Sequence, residues 1–329
     1  MTSSEFSQRH WYRLSLLSCL LAPLSLLFLL VVTLRRMAYR GGLLPRTRFH
    51  VPVLVVGNLV AGGTGKTPLV LWLVEGLKRA GWKPGIISRG YKGHNKTPRL
   101  VRADDLAAEV GDEPLLLAQR SGVPVCIGRK RVEAGRGLLE AHSECDVLIS
   151  DDGLQHYALA RDFEIAVEDA RGFGNGLLLP AGPLREPPGR AVDAVVMNGE
   201  ARREGVWSMR LEARDFYGLD NPQCPVTLQS LRGLRLHAVA GIGDPQRFFD
   251  TLSGLGLQFT PHAFPDHHAY TPQDLQFEDC DAVLMTEKDA VKCGGFGRHD
   301  LYALPIEARV ENALIELIDT RLSERRHGS

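Results

Sequence analysis

The sequence predicts an α/β protein with a P-loop core on a mostly parallel sheet, a second smaller α/β domain and an N-terminal membrane helix. Three stretches predict it. VPVLVVGNLVAGGTGKTPLVLWL, Val51 to Leu73, reads as a buried strand, a glycine-rich loop ending in Gly65-Lys66-Thr67, and an apolar helix. CDVLISDDG, from Cys145, is an apolar strand ending in paired carboxylates, as a Walker-B strand does beside a phosphate loop. Leu14 to Leu34 carries no charged residue for 21 positions. A helix of that length reaches roughly 30 Å, the hydrocarbon thickness of a bilayer.

Composition excludes several classes. The chain has 329 residues, 44% hydrophobic and 24% charged, which is ordinary globular usage. Its 39 basic and 39 acidic residues cancel, so no global field favours nucleic acid. The six cysteines are scattered without a C-x-x-C pair, which argues against a zinc site or a disulfide framework. Residues 1–50 hold seven arginines against one acidic residue, Glu5, an asymmetry that suits anionic lipid.

The N-terminal apolar run contains Pro23 and is bracketed by Arg9, Arg13, Arg35, Arg36 and Arg40. Arg35-Arg36 stand where a signal peptide would carry small residues, which disfavours cleavage. A spanning anchor and a helix lying in the interface both remain open. Gly41 to His50 is a short basic linker.

In the phosphate loop, Gly62, Gly63, Thr64 and Gly65 would let backbone N–H groups converge on phosphate oxygens. The helix from Pro68 adds its positive end, Lys66 would reach the β/γ-phosphates, and the Thr67 hydroxyl would bind Mg²⁺. The strict G-x-x-x-x-G-K-T pattern wants glycine at position 60, and Val60 stands there.

GIISRGY, residues 85–91, reads as a second strand ending in a basic turn, and His94 to Val110 as an irregular or hairpin segment. Asp112 and Glu113 of GDEP then open a helix, where acidic residues serve either as caps or as site carboxylates. Pro124–Ile127 is a strand, and Arg129, Lys130 and Arg131 open the next helix as three cations able to face phosphate. Asp151 and Asp152 end the Walker-B strand; one would hold Mg²⁺ and the other orient or deprotonate a nucleophile. Phe163–Val167 and Ala194–Met197 are further strands, separated by a Gly/Pro-rich stretch, Gly172 to Pro188, that is long for a connector and suits a binding loop.

From about residue 205 antiparallel-looking runs lead into a strand/helix alternation. Leu234–Ala240, Asp281–Thr286 and Leu301–Leu304 read as strands, and Pro245–Leu255, Lys288–Cys293 and Glu311–Leu322 as helices. Between them Asp266, His267 and His268 form a cluster on a Pro-flanked loop, able to bind metal or supply an acid/base, or simply exposed. The expected division is 1–48 for the membrane helix and linker, 49–225 for the P-loop core and 226–329 for the smaller domain.

GNLVAGGTGKTP, SRGY, GDEP, SDDGLQHY, GNGLLLPAGPLRE, VAGIGDPQRFF, FPDHHAYT and TEKDAVK together resemble the tetraacyldisaccharide 4′-kinase (lipid A 4′-kinase) family across nearly the whole chain. The resemblance implies a P-loop kinase at the cytoplasmic face of the inner membrane. It would use ATP and Mg²⁺ to phosphorylate the 4′-hydroxyl of an acylated disaccharide 1-phosphate, with no nucleic acid and no obligate protein partner. It further implies Asp112 as general base with His267 beside it, His268 being the alternative register. Glu113, Asp151 and Thr67 fall on the metal side, Asp152 and Arg131 at the phosphates, and Asn175, Arg185 and Glu186 toward the acceptor. A P-loop NTPase switch is the rival reading, although a guanine-specifying N-K-x-D is absent from the sequence.

Overall fold

The computed structural model describes residues 10–90, 97–201 and 203–327. Short apolar runs rich in Val and Ile make the strands, and helices on both faces bury them. In chain order, β1 (Val53–Gly57), β2 (Pro84–Ser88), β3 (Arg99–Val101), β4 (Val125–Ile127), β5 (Val147–Ser150), β6 (Phe163–Asp169), β7 (Ala194–Asn198) and β8 (Val206–Ala213) enter a first sheet. β9 (Phe216–Gly218), β10 (Pro225–Val226), β11 (Leu236–Ala240), β12 (Phe259–Ala263), β13 (Ala282–Thr286) and β14 (Leu301–Leu304) form a second. β15 (Ile306–Val310) returns to the first sheet, completing nine strands in the order β15-β8-β7-β6-β1-β5-β2-β4-β3.

From β8 to β4 that order is parallel, and both edges, β15 and β3, are antiparallel. Side chains alternate between two cores. Leu54 and Val56 of β1 join the core made by the helices Lys66–Arg79, Asp112–Ser121 and Ala313–His327; Val53 and Val55 join the one under the helix Arg131–Ala141. In the second sheet β14-β13-β11-β12 run parallel, with β9 and β10 antiparallel at one end.

β1 lies between β5 and β6, with Val55 opposite Ser150. The loop after Gly57 and the Asp151-Asp152 turn after β5 therefore emerge side by side at the carboxyl edge, where open α/β sheets bind ligands.

Sheet membership does not follow a single break at 226. β9 precedes that position and β10 straddles it, yet both sit in the second sheet, and residues 306–327 return to the first. The cause is packing. Leu314, Ile315, Ile318 and Leu322 are buried against the Lys66–Arg79 helix, so closely that a Cβ on Gly76 would come within 2.4 Å of Ile315 Cδ1. The Trp82 indole donates to Asp319 Oδ1 at 2.7 Å. The last helix buries Leu314, Ile315, Ile318 and Leu322, and the face they make belongs to the phosphate-loop core.

The helix Leu16–Arg40 runs through Pro23 and is capped by Ser15, whose hydroxyl accepts from Ser18 N–H. Its polarity is inverted. Ser18 and Ser25 are buried, whereas Leu16, Leu20, Leu24, Leu27, Val31 and Leu34 are exposed.

Candidate active site

The phosphate loop is shaped at its base by Val60. This residue is buried and bridges Leu184 in antiparallel fashion; Ala61 N–H donates to Pro183 O at 2.8 Å, and Arg185 N–H to Leu59 O at 2.7 Å. Extended, paired backbone at 60 needs no glycine, so the departure from the strict motif has a structural reason. The turn itself falls on Gly62 at φ 110° and Gly65 at φ 92°, values that L side chains avoid. A Cβ at Gly65 would meet Asn198 Nδ2 at 2.9 Å, and the Asn198 amide in turn donates to Thr64 O at 3.1 Å. Gly65 is the residue before the Lys66–Arg79 helix, so the curled backbone delivers a ligand to a helix N-terminus.

Lys66 reaches across to the neighbouring strand end, where its Nζ lies 3.5 Å from Asp152 Oδ1. Arg185 Nη1 donates to both Asp152 oxygens at 3.1 and 3.0 Å and to Asn58 Oδ1 at 3.2 Å. Burial alone would raise the Asp152 carboxyl; Lys66 and Arg185 outweigh it and hold it at about 2. Asp152 also adopts φ 47°, in the left-handed region, which turns the chain sharply after β5.

Asp151 is the opposite case. It is buried, accepts from Ser88 Oγ at 3.0 Å, and is pushed up to about 6 by burial, with Glu113 and Asp152 adding repulsion against Lys66 and Arg131. Two adjacent carboxyls are thus driven apart by their surroundings, a pattern typical of sites.

Asp112 and Glu113 occupy the first turn of the helix Asp112–Ser121, behind Gly111 at φ 93°. Neither caps it with a side-chain bond. Asp112 Oδ2 instead pairs with His267 Nδ1 at 2.9 Å, and Lys292 Nζ stands 3.8 Å away. Burial would raise the Asp112 carboxyl, but the His267 hydrogen bond and the Lys292 charge prevail and lower it. Glu113 Oε1 receives Lys288 Nζ at 3.2 Å, and the same ammonium lies 3.5 Å from His267 Nε2 and 3.7 Å from Asp266 Oδ1. His267 sits at φ 62°, its N–H donating to Gly241 O at 3.0 Å. His268 turns away to Asp274 Oδ2 at 3.2 Å.

Lys288, in the dense charged turn Thr286–Asp289, and Lys292 one turn on both reach the Asp112–His267 pair. Their signal was the i,i+4 spacing within TEKDAVK, which puts both on one face of the helix Glu287–Cys293. Thr286 caps that helix, accepting from Asp289 N–H at 3.2 Å.

Three expected positions differ in their surroundings. Arg131 is buried, donating to Gly128 O at 3.1 Å and Asp151 O at 2.8 Å, so its guanidinium buttresses the carboxylate turn from beneath; burial lowers it to about 10. Glu186 is fully buried and accepts from Tyr157 Oη at 2.6 Å, Arg190 Nη1 at 2.7 Å and Gln155 Nε2 at 3.1 Å, so it does not face open space. The Asn175 amide donates to Ala181 O at 2.8 Å and His10 O at 3.3 Å, fastening its own loop to the N-terminal segment. Arg131 opens the helix Arg131–Ala141, whereas Asn175 and Glu186 lie in loops, and all three bond within the protein, as buried polar groups do. Tyr91 of SRGY lies outside the described residues.

The residues present fit a nucleotide phosphate chain with Mg²⁺. A Cβ at Gly63 would meet nothing within 4 Å, so the loop is open there, and the Thr64 Oγ1 is buried without a partner. Among the described residues no group of three or more His, Cys, Asp or Glu forms a closed metal cage. That suits Mg²⁺, which is held by one or two carboxylates together with substrate phosphates and water.

Comparison with known proteins agrees with this chemistry. Residues 17–323 match the family model described as Tetraacyldisaccharide-1-P 4′-kinase. A tetraacyldisaccharide 4′-kinase of Methylobacillus flagellatus is 52% identical over 323 residues, 97% of this chain and 96% of that one. One from Azoarcus sp. is 51% identical over 318 residues, 93% and 92% of the two chains. A crystal structure of LpxK from Aquifex aeolicus in complex with ATP matches with a TM-score of 0.82 at 32% identity, covering 93% of this chain and all of that one. With its phosphate loop, paired aspartates and Asp112–His267 contact on one continuous match, this chain belongs to the tetraacyldisaccharide-1-P 4′-kinase family.

Proposed function

We propose that the protein transfers the γ-phosphoryl of ATP to the 4′-hydroxyl of a tetraacylated disaccharide 1-phosphate, a step of lipid A biosynthesis, at the cytoplasmic face of the inner membrane. The observation that carries this reading is the contact between the phosphate loop and the paired aspartates, where Lys66 Nζ lies 3.5 Å from Asp152 Oδ1.

Phosphoryl transfer is mostly positioning and charge neutralisation. In this reading Gly62, Gly63, Thr64, Gly65 and Lys66 cradle the phosphates. Thr67, Asp151 and Glu113 would hold Mg²⁺, which neutralises the charge on the β- and γ-oxygens. Asp152 keeps Lys66 and Arg185 in place, and Arg185, with a partly exposed side chain, faces the acceptor side. Asp112 takes the proton of the acceptor hydroxyl. Its lowered pKa keeps it ionised, and a weak base suffices because the loose transition state needs proton removal only late. His267 orients that carboxylate. Since His267 follows β12 of the second sheet, the pair exists only when the two sheets are apposed, which limits ATP loss to water.

The test is transfer of labelled γ-phosphate from ATP-Mg²⁺ to tetraacyldisaccharide 1-phosphate in detergent micelles, beside Lys66→Ala. Label on the lipid that vanishes in the variant supports the kinase. ATP turnover with no labelled lipid favours the NTPase switch.

A further inference from the structure

The N-terminal helix is inside out relative to a helix of a soluble protein. Leu16, Leu20, Leu24, Leu27, Val31 and Leu34 recur at helical spacing on one exposed face. The opposite face carries Ser18 and Ser25, seven residues and two turns apart, and both are buried. Their hydroxyls are firmly engaged. Ser25 Oγ donates to Leu178 O at 2.7 Å and accepts from Ala181 N–H at 3.0 Å. Ser18 Oγ donates to His10 O at 3.1 Å, and the Asn175 amide donates to it at 3.4 Å. Toward the carboxyl end, Phe28 and Leu29 pack on the core that holds Val55 and Leu148, and Arg35 stacks 5.6 Å from the centroid of the Tyr157 ring.

This contact pattern constrains how the helix meets a bilayer. Ser25 is close to the middle of the Leu16–Arg40 helix. Were the helix to span, Ser25 would lie near the bilayer centre. Leu178 and Ala181 would be drawn there with it, and with them the backbone and amide groups of the Asn175 loop. Leu178 belongs to the same core as β1, so the kinase domain itself would enter hydrocarbon. Polar backbone outside a helix or closed barrel is not tolerated at that depth when lipid-exposed. A helix docked along its length to a folded domain lies on the membrane instead, with its apolar face in one leaflet.

The exposed leucine face also meets the conditions for lipid over a protein partner. Arg13, Arg35, Arg40 and Arg46 are exposed around its two ends, and Leu43 follows at 82% exposure. Basic residues flanking an apolar face attract anionic headgroups, whereas a second copy would bring like charges together.

Resting on the lipid-kinase reading above, we propose that Ser18 and Ser25 are positioning residues. They lock the apolar helix to the Asn175–Leu184 segment so that helix and kinase core insert as one rigid body. The helix lies parallel to the bilayer, and the site meets a membrane-embedded acceptor at a set depth. Arg185, which holds Asp152, closes that same segment through its N–H bond to Leu59 O.

The experiment compares the wild-type chain with the double variant Ser18→Ala, Ser25→Ala, on tetraacyldisaccharide 1-phosphate in anionic vesicles and in detergent micelles. Expected is a fall in kcat/KM of about tenfold in vesicles, the loss that a single ordinary hydrogen bond represents, and less than about threefold in micelles. ATP affinity and vesicle flotation stay at wild-type levels, because the fold and the leucine face persist. Equal losses in both media would mean a merely structural role, and no loss would mean the seam positions nothing; either overturns the proposal. Failure of the kinase reading is separate, since wild-type enzyme would then label neither preparation. Orientation is read from fluorophores on Leu20→Cys and Leu34→Cys in a Cys19→Ser, Cys224→Ser background. Equal quenching depths in brominated lipids support the in-plane helix. Depths differing by close to the roughly 20 Å that fourteen helical residues span overturn it. A dimer that protects both labels without lipid also overturns it in favour of a second copy.

Discussion

Asp112 Oδ2 and His267 Nδ1 lie 2.9 Å apart although 155 residues separate them, one on a helix packed on the first sheet and the other in a turn after β12 of the second. His268, the adjacent residue, is held by Asp274 at 3.2 Å instead. The two histidines therefore predict different kinetics. His267→Ala should lower kcat by on the order of 10²-fold, in the range of acid–base and positioning contributions, with ATP affinity little changed. His268→Ala should cost less than about tenfold. Steady-state kinetics on both variants checks this, and equal effects would remove His267 from its assigned role.

Asp151 predicts a pH dependence of stability. Its folded pKa is raised to about 6, above the unfolded value near 3.9, so the folded state favours the neutral form. Its stabilising effect is full below the unfolded value and fades as pH rises from about 4 to about 6. Above that window the buried charge costs on the order of 3 kcal/mol. Asp151→Asn keeps the Ser88 contact and should raise Tm at pH 7 while reducing activity. Denaturant titrations between pH 4 and 7 should show a shallower pH slope in the variant.

Gly65→Ala probes the loop cradle. A side chain at φ 92° is strained, and its Cβ would sit 2.9 Å from Asn198 Nδ2. The expected cost is about 1–3 kcal/mol of stability together with loss of nucleotide affinity. Calorimetric ATP binding on protein that still unfolds cooperatively separates the two effects. Unchanged affinity would mean that the loop binds nucleotide elsewhere.

Glu186 offers a choice between acceptor contact and scaffold. Its carboxylate is buried against Arg190, Tyr157 and Gln155, so Glu186→Ala removes one of the two carboxylates on Arg190, which keeps Glu164, and takes the acceptor from the buried Tyr157 hydroxyl. The expected destabilisation is about 3–5 kcal/mol, visible as a large fall in Tm. A variant with wild-type Tm and a raised KM for the lipid would instead put Glu186 on the acceptor.

The last helix gives the clearest stability test. Ile318 is fully buried in the core of the first sheet, so Ile318→Ala should cost about 2–5 kcal/mol and weaken ATP binding along with it. Were residues 313–327 part of an independent second domain, nucleotide binding by the remainder would be indifferent to this change.

Local chemistry was legible in the residues. The strand, loop and helix around Lys66, and the carboxylates after β5, announce themselves because each function there uses consecutive residues and a backbone shape only glycine permits. The carboxylates of GDEP were legible as residues but not as partners, since capping and catalysis place acids at the same helix position. Val60 was visible as a departure without a reason until Leu184 appeared beside it.

The sequence by itself determined the α/β class, the phosphate loop, the apolar helix and the order of the elements. Each of these rests on patterns within a few dozen residues. Only the tertiary structure decided that His267 and not His268 meets Asp112, that Lys288 and Lys292 flank that pair, and that Glu186 and Arg131 point inward. It also decided that the last strand and helix return to the first sheet. The reason is physical. Periodicity tells a helix which face is apolar, but not which of two apolar surfaces covers it. That is settled by shape, as where Ile315 closes over Gly76.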